Sequence, residues 1–171
     1  LSELWLSHQR RNAYWKQGSV IEDYDSIRCA VMAVGGWSDS YTDAILRLMK
    51  GLKKTPCNQA IIGPWGHTWP ERGVPGPSIG YLQVCVRWWV KWLKGLDNGA
   101  EQDPPIRFYT QEPAHSTPDM SVRDGSWYQA DAFHTGFEDG SVEMKFGETL
   151  ECEPSVDRES VTEITAPGHV T

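Results

Sequence analysis

No stretch of this 171-residue chain approaches the ~20 consecutive apolar residues of a membrane-spanning helix. No signal peptide is visible, and since the chain is expected to lack its true N-terminus, export stays open. Basic charge is also scarce: 16 Lys and Arg stand against 23 Asp and Glu, for a net charge of -7. That balance argues against nucleic acid or an anionic membrane surface as a partner. Cysteine is sparse and scattered at 29, 57, 85 and 152, with no C-x-x-C pair. Cys29 and Cys85 sit in apolar runs and read as buried thiols, and a reducing cytoplasm is the preferred compartment. The histidines at 8, 67, 115, 134 and 169 share no ligand spacing with Cys, Asp or Glu, so no metal is implied. No glycine-rich loop leads into a helix with Lys-Ser or Lys-Thr, so no nucleotide phosphate and no other cofactor is implied. Internal repeats are absent.

Against these absences stands an organised first half. Cys29 to Val34 is an unbroken apolar run, as expected of a strand covered on both faces of a parallel sheet. It stops at Gly35-Gly36, and Asp39 follows within three residues. Ser40 and Asp43 read as the capping box of a helix whose apolar face is Ile45, Leu48, Met49 and Leu52. Gly51 and Pro56 end it, and Asn58 to Gly63 reads as a second strand. The unit is strand, helix, strand, so the strands run parallel with a right-handed crossover. Both following loops then leave the carboxyl edge of the sheet, where open α/β folds place their sites. Asp39 and His67 therefore face each other from adjacent loops, in the order acid then base of a hydrolytic triad.

Each residue has a competing explanation. A lone histidine after a strand is more often a satisfied polar residue than a base; its placement beside Asp39 is what argues for chemistry. Asp43 is the rival carboxylate, but it falls inside the helix, four residues before Arg47. The nucleophile is the difficulty. Gly76-Pro-Ser78-Ile-Gly80 fits G-x-S-x-G formally, yet Gly73 to Pro77 is no buried strand, and the order Asp, His, Ser is wrong for the fold. Ser78 reads instead as a helix N-cap.

Elsewhere, residues 1–17 carry Leu4, Trp5, His8, Arg11 and Trp15 at helical steps, with Gly18 as the cap. His8, Arg10 and Arg11 read as the polar face of that helix. Ile79 opens a long helix ending at Gly95, with Leu82, Cys85, Val86, Trp89, Leu93 and Leu96 on one face and Tyr81, Val84, Trp88 and Trp92 on another. Such a helix is expected to be buried on both sides, against the sheet and against a further domain. Residues 96–105 read as a linker. The runs 106–110, 126–130, 142–146 and 161–164 have strand character, as in the start of an antiparallel sandwich. Nine tryptophans are many for this length; most are expected in cores, and Trp37 and Trp65, beside the two site positions, are candidate pocket walls.

Gly36-Trp-Ser-Asp-Ser-Tyr41, Gly63-Pro-Trp-Gly-His67, Arg87-Trp-Trp-Val-Lys-Trp-Leu-Lys-Gly95 and His8-Gln-Arg-Arg-Asn-Ala-Tyr-Trp-Lys-Gln-Gly-Ser19 together resemble the cocaine-esterase-type acyl hydrolases, which group with the X-Pro dipeptidyl-peptidases. The resemblance covers residues 5–96. It implies an α/β-hydrolase with a helical cap and a C-terminal jelly-roll sandwich. Residues 1–28 would be the end of the cap and the return to the sheet, 29–100 the C-terminal part of the α/β-hydrolase domain, and 101–171 a partial β-sandwich. It implies Asp39 as triad acid, His67 as triad base and Tyr41 as an aromatic of the acyl pocket. The nucleophilic serine and oxyanion donors would lie in a missing N-terminal half. The expected activity is hydrolysis of a small acyl ester or amide through an acyl-enzyme, with the isolated chain inactive. The alternatives are X-Pro dipeptidyl-peptidase activity or a non-catalytic binding or scaffolding module with a vestigial site. Expected partners are the small-molecule substrate, the missing half, and a further copy in a homo-oligomer joined through open edges.

Overall fold

A computed structural model describes residues 1–115, 119–130 and, as backbone alone, 161–164. The expected run at 142–146, Cys152 and the histidines at 134 and 169 lie outside the described residues. The described elements form a mixed α/β arrangement around one five-stranded sheet, ordered β1-β2-β3-β4-β5. β1 (Val31–Gly36), β2 (Asn58–Gly63) and β3 (Ile106–Gln111) are parallel, whereas β4 (Gly125–Ala130) and β5 (Val161–Ile164) continue the sheet antiparallel. The 29–34 run is a strand displaced by two residues, because the ladder begins only where Val31 meets Asn58.

The strand–helix–strand unit forms as its sequence requires. Helix α3 (Thr42–Gly51) lays Met49, Ile45, Leu46 and Leu48 on Ala33, Ala60, Ile62 and Ile106. Burying Met49 and Leu52, which are 8% and 3% exposed, contributes about 1.5–3 kcal/mol each. The expected capping box does not form. Tyr41 occupies the N-cap without a side-chain bond, and the Thr42 hydroxyl donates to the carbonyls of Gly36 and Asp39 instead. This ties the first turn of α3 directly to the end of β1.

Helix α4 (Tyr81–Lys94) covers the opposite face of the sheet. Tyr81 and Val84 pack on Ile61, Trp65, Ile79, Tyr109 and Trp127, and Gly95 ends the helix in the left-handed conformation at φ 68°. Its N-cap is Gly80, so Ser78 does not take the expected role. Only one of the two expected faces is covered: Trp88 is 3% exposed, but Leu82, Val86, Trp89 and Leu93 stand largely in solvent. The crossovers β1-α3-β2 and β2-α4-β3 advance in the same direction with their helices on opposite faces, so they have opposite hands. Right-handed connections are the strong rule, and one of this pair departs from it.

The N-terminal segment is two short helices rather than one, α1 (Ser2–Ser7) and α2 (Ala13–Lys16). Asn12 explains the break. Its side chain accepts from the Tyr14 amide and contacts His8 Nδ1 at 2.8 Å, so it starts a new helix in place of continuing the old one. Among the described residues no helix is long and apolar enough to cross a membrane.

Candidate active site

Two loops leave the carboxyl ends of β1 and β2, and short bonds lock them together. Trp37 N–H donates to the Gly63 carbonyl at 2.8 Å and Ser38 N–H to the Trp65 carbonyl at 3.2 Å. The Ser38 hydroxyl donates to the Pro64 carbonyl at 2.9 Å. Gly36 permits this approach: a Cβ there would collide with the Trp65 backbone and indole. The glycines ending β1 are thus a packing requirement of the loop pair as well as a strand stop.

On this frame Asp39 and His67, twenty-eight residues apart, meet at 2.8 Å between Oδ2 and Nδ1. The other carboxylate oxygen accepts the Tyr41 amide at 3.0 Å. That backbone bond, then the bond to His67, hold the Asp39 carboxyl below its ordinary range, against an opposing contribution from desolvation. Asp39 is therefore ionised at neutral pH and only accepts, so Nδ1 of His67 carries the proton. Nε2 is left as an acceptor, with no hydrogen-bond partner among the described residues. The two side chains differ in setting: Asp39 is 12% exposed and His67 81%. The carboxylate is held within the fold, while the imidazole stands at its surface.

The imidazole borders a cavity of 430 Å³ whose walls include Asp39, Trp65, Trp69 and Tyr81, with Val34 and Gly35 at the end of β1. Trp69 stacks on Tyr81 with ring centroids 6.3 Å apart and planes inclined 30°, yet stays 67% exposed. Burial, a hydrogen bond with Cys85 and the nearby Cys85 and Glu71 charges push the Tyr81 phenol up to about 12, so it remains a neutral donor.

The aromatics singled out from the sequence occupy three different settings. Tyr41 stands edge-on to the His67 ring at 5.6 Å, two-thirds exposed. Trp65 is 1% exposed and forms the cavity floor. Trp37 does not line the cavity: its indole N–H donates to the Tyr109 carbonyl on β3 at 2.6 Å. Asp43 does not bond the imidazole, whose carboxylate partner is Asp39, and pairs with Arg47 one helical turn on. Sequence reasoning passed over Trp69 and Tyr81 as cavity residues. Their signal was available, because Trp69 follows His67 by two positions and Tyr81 heads the helix that this loop enters. Among the described residues no cluster of His, Cys, Asp and Glu is disposed to hold a metal ion.

Comparison with known proteins follows the same residues. Residues 1–69 match the family described as X-Pro dipeptidyl-peptidase (S15 family). Two mycobacterial proteins named as serine esterases, from Mycobacterium bovis and Mycobacterium tuberculosis, are each 29% identical over 103 residues, which is 57% of this chain and 15% of theirs. This chain thus spans about 15% of the length of those relatives. Among solved structures, a CocE/NonD family hydrolase from Staphylococcus aureus overlays with a TM-score of 0.51 at 15% identity, over 71% of this chain and 20% of that one. At that identity the overlay is evidence of fold alone. The family match over residues 1–69 and the curated relatives support the resemblance to the cocaine-esterase and X-Pro dipeptidyl-peptidase group that the Asp39 and His67 motifs carry, and the overlay agrees with its fold.

Proposed function

We propose that this chain supplies the acid and the base of a serine hydrolase that cleaves small acyl esters or amides through an acyl-enzyme. The observation that carries the proposal is the 2.8 Å Asp39–His67 contact beside an open cavity. Asp39 holds the proton on Nδ1, so Nε2 is free to take the proton of an attacking serine hydroxyl. The imidazolium formed in that step stays stabilised by the carboxylate. Nε2 then returns the proton to the leaving alcohol or amine, and the same cycle with water releases the acid. Asp39 thus acts as orienter and electrostatic partner, His67 as general base and then general acid.

No serine is bonded to His67 among the described residues. In this proposal the nucleophile and oxyanion donors come from the larger part of the protein that relatives possess and this chain does not cover. Residues 1–28 would then be the return from a cap, 29–100 the end of the hydrolase domain, and 101–171 the start of a sandwich, β3 and β4 extending the sheet at that junction. Trp69 and Tyr81 form the wall for the apolar part of the substrate, with Tyr41 across the imidazole. The three described cysteines are unpaired, in keeping with a reducing compartment.

Ester hydrolysis is favoured over X-Pro peptidase activity because, among the described residues, the cavity walls are largely apolar and aromatic and the carboxylate that lines them is Asp39, already engaged by His67. The test is turnover of p-nitrophenyl esters by the longer protein with Asp39→Asn or His67→Ala. Near-normal turnover in both would leave the chain a binding or scaffolding module. The 171-residue chain alone is expected to show no turnover and no fluorophosphonate label; stoichiometric labelling at Ser78 would overturn the assignment.

A further inference from the structure

The parallel ladder between β2 and β3 covers only Ala60 to Ile62 against Ile106 to Phe108. One residue further on, β2 reaches its last residue, Gly63, with no ladder partner on β3, and the Tyr109 carbonyl takes the Trp37 indole N–H at 2.6 Å. Trp37 thus reaches from the end of β1 across the end of β2 to β3, a separation of 72 residues in sequence. Tyr109 is itself fixed. It is 4% exposed, its hydroxyl donates to the Arg123 carbonyl at 2.9 Å, and its ring meets Trp127 of β4 edge-on at 5.4 Å. Trp127 in turn packs on Trp65 at 5.9 Å. The circuit therefore closes: from the acid loop through Trp37 to β3, through Tyr109 and Trp127 to β4, and back through Trp65 to the histidine loop.

We infer that β3 and β4 are a bracket for the active site, with Trp37 as the positioning residue that sets the Asp39–His67 geometry through the Tyr109 carbonyl. This rests on the functional reading above. It assigns Trp37 a role different from the pocket wall expected of it, and it gives the connection through α4 a purpose: to bring a strand beside β2 at the height of the two loops. The coupling is steric and electrostatic. Asp39 lies two residues beyond Trp37, so a swing of the indole turns the carboxylate. His67 is exposed and has little else to hold its ring.

The test reads the tautomer of His67 from its ring ¹⁵N shifts in the 171-residue chain, at a pH where the imidazole is neutral. The wild type is expected as the Nδ1–H form, and Asp39→Asn as the Nε2–H form. Trp37→Phe keeps the ring, removes the donor, and is expected to give a mixture of the two. Trp127→Phe, which loosens the far side of the bracket, is the second variant and is expected to move the tautomer in the same direction. In the longer enzyme Trp37→Phe should lower kcat about tenfold with KM within twofold, less than the roughly hundredfold loss for a 1 Å misplacement. An unchanged Nδ1–H tautomer in both folded variants would overturn the bracket. An Nε2–H wild type would instead sink the Asp39–His67 pair and with it the functional reading, so the two failures are distinguishable.

Discussion

The two ends of the parallel strands both carry ion pairs, and they use them in opposite ways. At the amino ends, Arg87 bonds Asp103 and the Asn98 carbonyl, Lys91 bonds Glu101 at 2.5 Å and Asp97 at 3.2 Å, and Gln59 donates to the carbonyls of Ala100 and Asp103. Arg107 lies beneath with Nη2 at 3.9 Å from Asp103, 8% exposed, and burial pulls its guanidinium below its ordinary value. At the carboxyl ends the Asp39–His67 pair stands at the rim of a cavity, and Nε2 faces no described partner. Charges whose partners are already supplied by the chain hold a fold together. A titratable nitrogen left without one beside a cavity is available to a substrate. Arg107 Nε and Nη2 and one Glu101 carboxylate oxygen at the amino ends also lack a hydrogen bond, but they are buried. The two kinds of pair are told apart here by an unbonded atom that stands beside a cavity, and the number of charges does not distinguish them.

The sharpest way to break this comparison is at the carboxyl end. In the longer enzyme proposed above, Asp39→Asn is expected to cut kcat by about four powers of ten, as in triad proteases, or roughly 5.5 kcal/mol of transition-state stabilisation. His67→Ala should cost at least as much, and the double mutant scarcely more than the worse single, because triad members act as one unit. Additive losses in kcat would show that the two residues do not work together.

The amino end should respond in stability and leave the tautomer of His67 untouched. Asp103→Ala removes the carboxylate shared by Arg87 and Arg107 and leaves a buried guanidinium uncompensated, at about 3 kcal/mol. Urea titration of the 171-residue chain measures it. A loss below about 0.5 kcal/mol, the range of an ordinary surface change, would mean that this network is ornamental.

Smaller effects sharpen the contrast. Trp69→Ala removes one stacked ring from the cavity wall, worth about 0.5–1.5 kcal/mol, and is expected to raise KM several-fold for apolar esters with kcat nearly unchanged. A fall in kcat alone would make Trp69 a structural support of the histidine loop. The smallest effect belongs to pH. Because the folded Asp39 carboxyl lies below its ordinary value, its contribution to stability is full above about pH 4 and fades as pH falls through the depressed value. Melting curves of wild type and Asp39→Asn should therefore converge on acidification below about pH 4; a gap that widens instead would reverse the sign assigned to this group.

Much of the first half was legible because its physics is local. The apolar run into Gly35-Gly36, the helical spacing of Ile45, Leu48, Met49 and Leu52, and the strand from Asn58 to Gly63 are decided by periodicity and by glycine. A parallel pair joined by a helix must send both loops to the same edge, which brings Asp39 and His67 together from sequence alone. Local signals misled where two of them competed. Asn12 capped a new helix inside an apparently continuous one, and Thr42 took the role that Ser40 seemed to hold. The long-range decisions belonged to tertiary structure alone. The 106–110 run reads equally well as a sandwich strand, and only pairing with Ala60 to Ile62 places it in the same sheet as β1 and β2. Nothing near Trp37 in sequence names Tyr109 as its acceptor, since a hydrogen bond spanning 72 residues depends on where β2 stops and not on any spacing. Sequence by itself determined which residues form the site's two loops; the packing of β3, β4 and α4 decided which indole holds a loop, which lines the cavity and which charges remain free to react.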